Sequence, residues 1–123
     1  QARVLLVEAN PVNQLVAKGM LGKLGCEVLL ANHGAEALSL LETQHVDLVL
    51  MDCNMPVMDG YETTRRIRQK EAIAKLPIIA LTANALADER DRCRAAGMDD
   101  YLAKPFRKDE LAALLDQWLS AIN

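Results

Sequence analysis

The chain has 123 residues, a formal net charge of −3 and 51% hydrophobic residues, with one Trp, one Phe and two Tyr, so it is long enough for one domain with an aliphatic core. The acidic balance and the lack of any Lys/Arg-rich run argue against nucleic-acid binding driven by phosphate neutralisation. Cys26, Cys53 and Cys93 are odd in number, widely spaced and without a CxxC pair, which suggests neither a disulfide framework nor a zinc site and fits a reducing, cytoplasmic setting. The longest apolar runs fall far short of the ~20 residues that span a bilayer.

Arg3 to Val7 reads as a buried strand, and Glu8-Ala9-Asn10-Pro11 as its exit loop, with Asn10 placed to cap a helix whose first position is Pro11. Val12, Leu15, Val16, Met20 and Leu24 recur at helical spacing, and Gly25 supplies a stop. Glu27 to Ala31 reads as a second strand. Asn32-His33-Gly34 turns into a helix with Ala37, Leu38 and Leu41 inward, ending near Thr43. Leu48 to Met51 is an unbroken apolar run suited to a strand buried on both faces, with Asp52 following at its carboxyl end. Asp59-Gly60 looks like a turn into the helical pattern Tyr61 to Glu71, with Asp59 as N-cap and Glu62 three residues on.

Ile78 to Leu81 is a fourth strand, leaving at Thr82-Ala83-Asn84. The next helix, Ala85 to Ala96, keeps only a thin apolar stripe beside Asp88-Glu89-Arg90-Asp91-Arg92 and Arg94, which predicts a weakly anchored, solvated helix. Gly97 ends it, Asp100 to Ala103 forms a fifth strand and Lys104-Pro105-Phe106 its exit loop. Leu111, Leu114, Leu115, Trp118 and Ile122 mark a last helix. His33 and His45 read as solvated, and Met51, Met55 and Met58 as packing and loop residues.

Five strands alternating with five helices predict an α/β fold, a doubly wound parallel sheet with helices on both faces. A parallel sheet puts every strand exit on one edge, where ligands bind in open α/β sheets. Glu8, Asp52, Thr82 and Lys104, from four separate exits, are therefore expected to converge. Two close carboxylates repel and tolerate ionisation best with a hard cation such as Mg²⁺ between them, and Mg²⁺ favours sharing its sphere with phosphate oxygens. A lysine and a threonine nearby complete a site suited to phosphoryl transfer, with Asp52 as the nucleophile that forms an acyl phosphate.

Four stretches, in order and at matching intervals, resemble the receiver domain of two-component signalling, the response-regulator type. They are Val7-Glu8-Ala9-Asn10-Pro11-Val12-Asn13, Met51-Asp52-Cys53-Asn54-Met55-Pro56-Val57-Met58-Asp59-Gly60, Ala80-Leu81-Thr82-Ala83-Asn84-Ala85 and Gly97-Met98-Asp99-Asp100-Tyr101-Leu102-Ala103-Lys104-Pro105-Phe106. The wording is most similar to receivers within hybrid sensor histidine kinases. The resemblance covers essentially the whole chain and implies one receiver domain over residues 1–123, excised from a larger signalling protein, with the flavodoxin-like strand order 2-1-3-4-5.

It further implies that Asp52 is the phospho-acceptor, fed by a phosphohistidine on a histidine kinase or histidine phosphotransfer domain. Thr82, Ala83 and Lys104 contact the phosphoryl group, and Thr82 and Tyr101 switch between states. Glu8, Asp52 and the Asn54 backbone carbonyl hold Mg²⁺, Lys104-Pro105 is cis, and the Asn54 and Asn84 side chains tune access of water. Such a domain is a phospho-acceptor rather than a conventional enzyme. It makes no nucleic-acid or membrane contact itself, and works in the cytoplasm or on the cytoplasmic side of a membrane-bound sensor kinase.

One position departs from the family pattern, which places two adjacent acids after the first strand. Here the pair is Glu8-Ala9, and Ala9 ligates nothing. The remaining carboxylates carry −2 rather than −3, so Mg²⁺ affinity is expected to be weakened, by at least the ~10 to 100-fold that follows loss of an outer-shell partner. The alternative is a degenerate receiver acting as a phosphorylation-independent binding module. An aspartate-nucleophile phosphatase fits less well, because Asp52-Cys53-Asn54 is not Asp-x-Asp after a first strand, and a dinucleotide binder less still, because the first exit loop has no glycine-rich cradle.

Overall fold

A computed structural model of the chain describes residues 2–53, 60–82, 87–104 and 106–120. Five parallel strands, β1 (Arg3–Val7), β2 (Glu27–Ala31), β3 (Leu48–Asp52), β4 (Ile78–Thr82) and β5 (Asp100–Ala103), lie in the order β2-β1-β3-β4-β5. The helices are α1 (Pro11–Lys23), α2 (Gly34–Thr43), α3 (Gly60–Arg68), α4 (Ala87–Ala96) and α5 (Lys108–Ser120), with a short 3-10 turn at Glu71–Ile73. The fold is the doubly wound, flavodoxin-like α/β arrangement expected from the alternation of elements.

Alternation along the strands splits the core in two. Leu5, Val7, Val49, Met51, Ile78 and Ala80 face α2, α3 and α4, while Val4, Leu6, Leu48, Leu50, Ile79 and Leu81 face α1 and α5. Every residue of β3 and β4 is buried, as a central parallel strand covered on both sides requires. Asp52 and Thr82 are the last residues of these two strands rather than loop residues beyond them, so both carry polar side chains on rigid backbone.

Asn10 caps α1 as expected, its Oδ1 accepting from the Val12 and Asn13 amides at 2.8 and 3.3 Å. Gly25 and Gly97 have φ of 83° and 104°, the left-handed conformation that a glycine stop exploits. His33 is not merely solvated: its Nδ1 accepts from the Glu36 amide at 3.2 Å and caps α2. His45 is exposed and pairs with Asp47 at 3.1 Å.

One expectation needs correction. The pattern Tyr61 to Glu71 is not one helix: α3 ends at Arg68, and Lys70 N bonds to Ile67 O at 3.0 Å in a tighter turn. The reason lies in Arg68, which donates to the carbonyls of Gly97, Ala74 and Leu76 at 2.8, 3.0 and 2.6 Å and to Asp99 at 2.8 Å. That fixes the chain after α3 against the β4 and β5 entries. The helical spacing in Pro11–Lys23 holds, but within it Val12, Leu15 and Val16 face outward. These side chains are 68%, 74% and 50% exposed, and α1 instead buries Ala17 and Leu21 against the sheet. Small Ala17 lets the helix approach closely.

Candidate functional site

The site is built where β1, β3, β4 and β5 end. Glu8 continues the β1–β2 ladder by one bond, its amide donating to Ala31 O at 3.0 Å, and its side chain turns inward to 2% exposure. Its Oε1 accepts from the Asn10 amide at 3.2 Å. The Gln14 amide nitrogen on α1 holds the same turn from outside, donating to Glu8 O at 2.5 Å and to Asn32 Oδ1 at 2.7 Å. Asp52, 3% exposed, follows four apolar residues of β3, and the adjacent Cys53 amide bonds to Leu81 O at 3.0 Å. Thr82 is 1% exposed at the end of β4, and its carbonyl accepts from the Lys104 amide at 2.7 Å.

That last bond pins the Lys104 backbone at the β5 exit, so its side chain reaches back across the sheet edge. Its Nζ lies 3.2 Å from Glu8 Oε2 and 3.3 Å from Asp52 Oδ1. One ammonium thus bridges two carboxylates from strands adjacent in the sheet. Two buried acids would repel strongly without a counter-charge. The trio still carries a net −1, which leaves it attractive to a cation or an electrophile. Glu8, Asp52, Thr82 and Lys104 converge on this edge as expected.

Whether the donors suit Mg²⁺ follows from their chemistry. Mg²⁺ takes oxygen ligands in octahedral geometry, commonly one or two carboxylates with several waters. Glu8 and Asp52 meet that minimum. Ala9 adds no donor: it is half-buried, packed against the α2–α4 side of the core. Among the described residues, no group of three or more His, Cys, Asp or Glu side chains is arranged to hold a metal. The arrangement is a two-carboxylate site, as the Glu8-Ala9 sequence dictates. Asn54, Ala83, Asn84 and Pro105, expected as a carbonyl ligand, a phosphoryl contact, tuning side chains and a cis proline, lie outside the described residues.

Beside the carboxylates opens a cleft of about 420 Å³ lined by Glu8, Asn13, Val16, Ala17, Leu81, Lys104 and Phe106. Its walls are mostly apolar, with the Lys104–Glu8 pair in its lining, and Val16 of α1 links it to the exposed Val12 and Leu15 on the same helix. Tyr101 is half-buried on β5, with the Arg90 guanidinium carbon 4.6 Å from its ring centroid.

Gly60 closes the site from below. A Cβ on Gly60 would stand 2.3 Å from Asp52 O and 3.0 Å from Asp52 C, so α3 starts in van der Waals contact with the end of β3. Gly60 is therefore needed for close approach. Gln14 and Gly60 both support the site, and sequence reasoning missed the roles of both, since each acts on residues that only the fold brings near.

The sequence model of the response regulator receiver domain family matches residues 4–116. The chain belongs to that family. The sensor histidine kinase RcsC of Escherichia coli K12 is 46% identical over 120 residues, which cover 98% of this chain and 12% of that protein. The sensor histidine kinase GacS of Pseudomonas protegens is 44% identical over 119 residues, 94% of this chain and 13% of that protein. The chain therefore spans about an eighth of the length of the sensor kinases it matches. Among solved structures, the receiver domain of the sensor histidine kinase PA1611 of Pseudomonas aeruginosa PAO1, with a magnesium ion coordinated in its active-site cleft, is 51% identical with a TM-score of 0.91, covering 97% of this chain and 98% of that one. The chemotaxis protein CheY4 of Vibrio cholerae is 30% identical with a TM-score of 0.92, covering 97% and 99% of the two chains. This receiver is thus similar in sequence to receivers of sensor histidine kinases.

Proposed function

We propose that Asp52 accepts a phosphoryl group from a phosphohistidine on a histidine kinase or histidine phosphotransfer domain. The observation that carries this reading is the buried Glu8–Lys104–Asp52 bridge, which holds one carboxylate beside a fixed ammonium at the sheet edge. An Asp52 carboxylate oxygen attacks phosphorus, the P–N bond breaks, and the imidazole nitrogen leaves with its electron pair. Lys104 exchanges its Asp52 contact for an oxygen of the arriving group, and the Thr82 hydroxyl donates to another. Thr82 and Tyr101 then change position. These are charge-stabilising and positioning roles, which supply most of the catalysis in phosphoryl transfer.

Glu8 and Asp52, with the Asn54 carbonyl, would hold Mg²⁺, which supplies charge neutralisation at the phosphoryl oxygens. With Ala9 in the position of an acid, affinity is lower than in a receiver with both, by about 10 to 100-fold or roughly 1.4 to 2.8 kcal/mol. Ala83, Asn84 and Pro105 keep the roles that the family resemblance implies.

The partner docks over α1. Val12, Leu15 and Val16 form an exposed apolar stripe beside the cleft that ends at Lys104 and Glu8, so a helix carrying phosphohistidine seated there would bring its ring to the acceptor. The receiver covers residues 1–123 of a longer sensor kinase and works on the cytoplasmic side of the membrane. Among the described residues, no helix is long and apolar enough to cross a membrane.

The test is phosphotransfer itself. Incubation with Mg²⁺ and a phosphorylated histidine phosphotransfer domain adds one phosphoryl mass to the chain, labile to hydroxylamine and absent in Asp52→Asn. Ala9 favours one further reading, a receiver that binds its partner without being phosphorylated. Partner binding unchanged by Asp52→Asn, with no mass gain at millimolar Mg²⁺, establishes that reading instead.

A further inference from the structure

On the α2–α4 side of the sheet, two thiols meet beneath the carboxylate edge. Cys53 follows Asp52 directly, Cys93 projects from α4 forty residues later, and their Sγ atoms lie 4.0 Å apart. Both are reduced and nearly inaccessible, at 1% and 3% exposure, whereas Cys26 belongs to the opposite core and is half-buried. The Tyr61 hydroxyl, at the start of α3, donates to the Glu89 carboxylate on α4, and the Arg92 guanidinium carbon sits 4.5 Å above the Tyr61 ring.

α4 has little else to hold it. Among its described side chains only Cys93 and Ala96 are buried, while Asp88, Arg90, Asp91, Arg92 and Arg94 are exposed. The thiol pair therefore sits at the junction between a largely exposed helix and the strand that carries Asp52. A disulfide needs sulfurs at about 2.05 Å, so each must advance by only about 1 Å, within reach of side-chain torsion and a small shift of a loosely held helix.

We propose that Cys53 and Cys93 are a redox-closable pair, joined by a hydroperoxide into an intramolecular disulfide that fastens α4 to the β3 exit. One sulfur attacks the peroxide O–O bond, releasing the alcohol or water and leaving a sulfenic acid. The second sulfur displaces the hydroxyl, which departs as water. The two thiols lose two electrons and two hydrogens in all, and the peroxide oxygens take them up.

Both sulfurs are shut off from solvent while α4 is seated, at 1% and 3% exposure. Reaction with oxidant requires α4 to lift, and closure is then slow, gated and responsive to whatever displaces that helix. Burial separates the pair from exposed sensor cysteines. The bond fixes the residue beside the candidate acceptor to a helix of the opposite layer, whichever use is made of Asp52.

Peptide mapping of a Cys26→Ser chain after hydrogen peroxide and alkylation tests the assignment, with amide hydrogen exchange on the same sample. The expected result is a Cys53–Cys93 linked peptide lacking two hydrogens, restored by dithiothreitol, with exchange across α4 slowed by about tenfold or more. Cys93→Ser abolishes both effects. Recovery of both cysteines as alkylated thiols, oxidation to sulfinic acid without a link, or a link that leaves α4 exchange unchanged would each overturn the proposal.

Discussion

Gly60→Ala is a one-methyl change that tests how α3 supports β3, the strand that carries Asp52. The added Cβ would stand 2.3 Å from the Asp52 carbonyl oxygen and 3.0 Å from both its carbonyl carbon and the Met51 Cγ. Ordinary contact begins near 3.4 Å, so about 1.1 Å must be made up against backbone rather than a flexible side chain. Overpacking of this kind costs typically 1–3 kcal/mol, offset by at most ~1 kcal/mol of helix propensity. A net loss of about 1–2 kcal/mol corresponds to a Tm drop of roughly 3–10 °C for a domain of this size. Because β3 is the element displaced, amide shifts at Cys53 and Thr82 should move together with Tm.

Gly22→Ala is the matched control, since a Cβ there meets nothing within 4 Å and the glycine lies inside α1. It should raise stability by about 0.5–1 kcal/mol. Equal Tm values for Gly60→Ala and Gly22→Ala, or unperturbed amides around Asp52 in Gly60→Ala, would refute the close-approach reasoning.

Arg68→Ala removes four donated hydrogen bonds and leaves the carbonyls of Gly97, Ala74 and Leu76 without that partner, so urea denaturation should show a loss of about 2–4 kcal/mol with the fold retained. Leu15→Glu should leave Tm within about 1 °C, because the side chain is 74% exposed, yet slow transfer from the histidine partner at least about tenfold by placing a desolvated charge in the docking face. Ala9→Asp should tighten Mg²⁺ binding by about 10 to 100-fold in a titration followed by Tyr101 and Thr82 amides. An unchanged Mg²⁺ midpoint would show that Glu8 already acts as the full ligand.

The fold was legible because its signals are local. Strand runs such as Leu48 to Met51, the Asn10-Pro11 cap and the Gly25 and Gly97 stops each state their own conformation, and the alternation of elements then dictates a parallel sheet with one exit edge. The convergence of Glu8, Asp52 and Lys104 follows from topology, since parallel strands leave on the same side. What was not legible depends on which face packs. The first half of α1 carries apolar residues on more than one side, so periodicity cannot choose between the Val12–Leu15–Val16 row and the Ala17–Leu21 row. Packing chooses the one with the smaller residue.

Likewise, the Tyr61 to Glu71 pattern continues past Arg68 in sequence, but Arg68 is spent on three carbonyls from two other segments, Ala74 and Leu76 before β4 and Gly97 after α4. Gly60 beside Asp52 O and Cys53 beside Cys93 are long-range approaches with no sequence-local trace. Gln14 holds the Glu8 turn from α1, which a polar residue on a helix face does not announce.

The measurement that bears most directly on the central claim is a beryllofluoride titration in millimolar Mg²⁺, read by amide shifts of Thr82, Cys53 and Tyr101 in the native chain and in Asp52→Asn. Beryllofluoride bound to a carboxylate oxygen stands in for the phosphoryl group. A phospho-accepting site predicts saturable shifts at all three residues in the native chain and none in Asp52→Asn. Absence of saturable shifts in the native chain, or equal shifts in both chains, contradicts it.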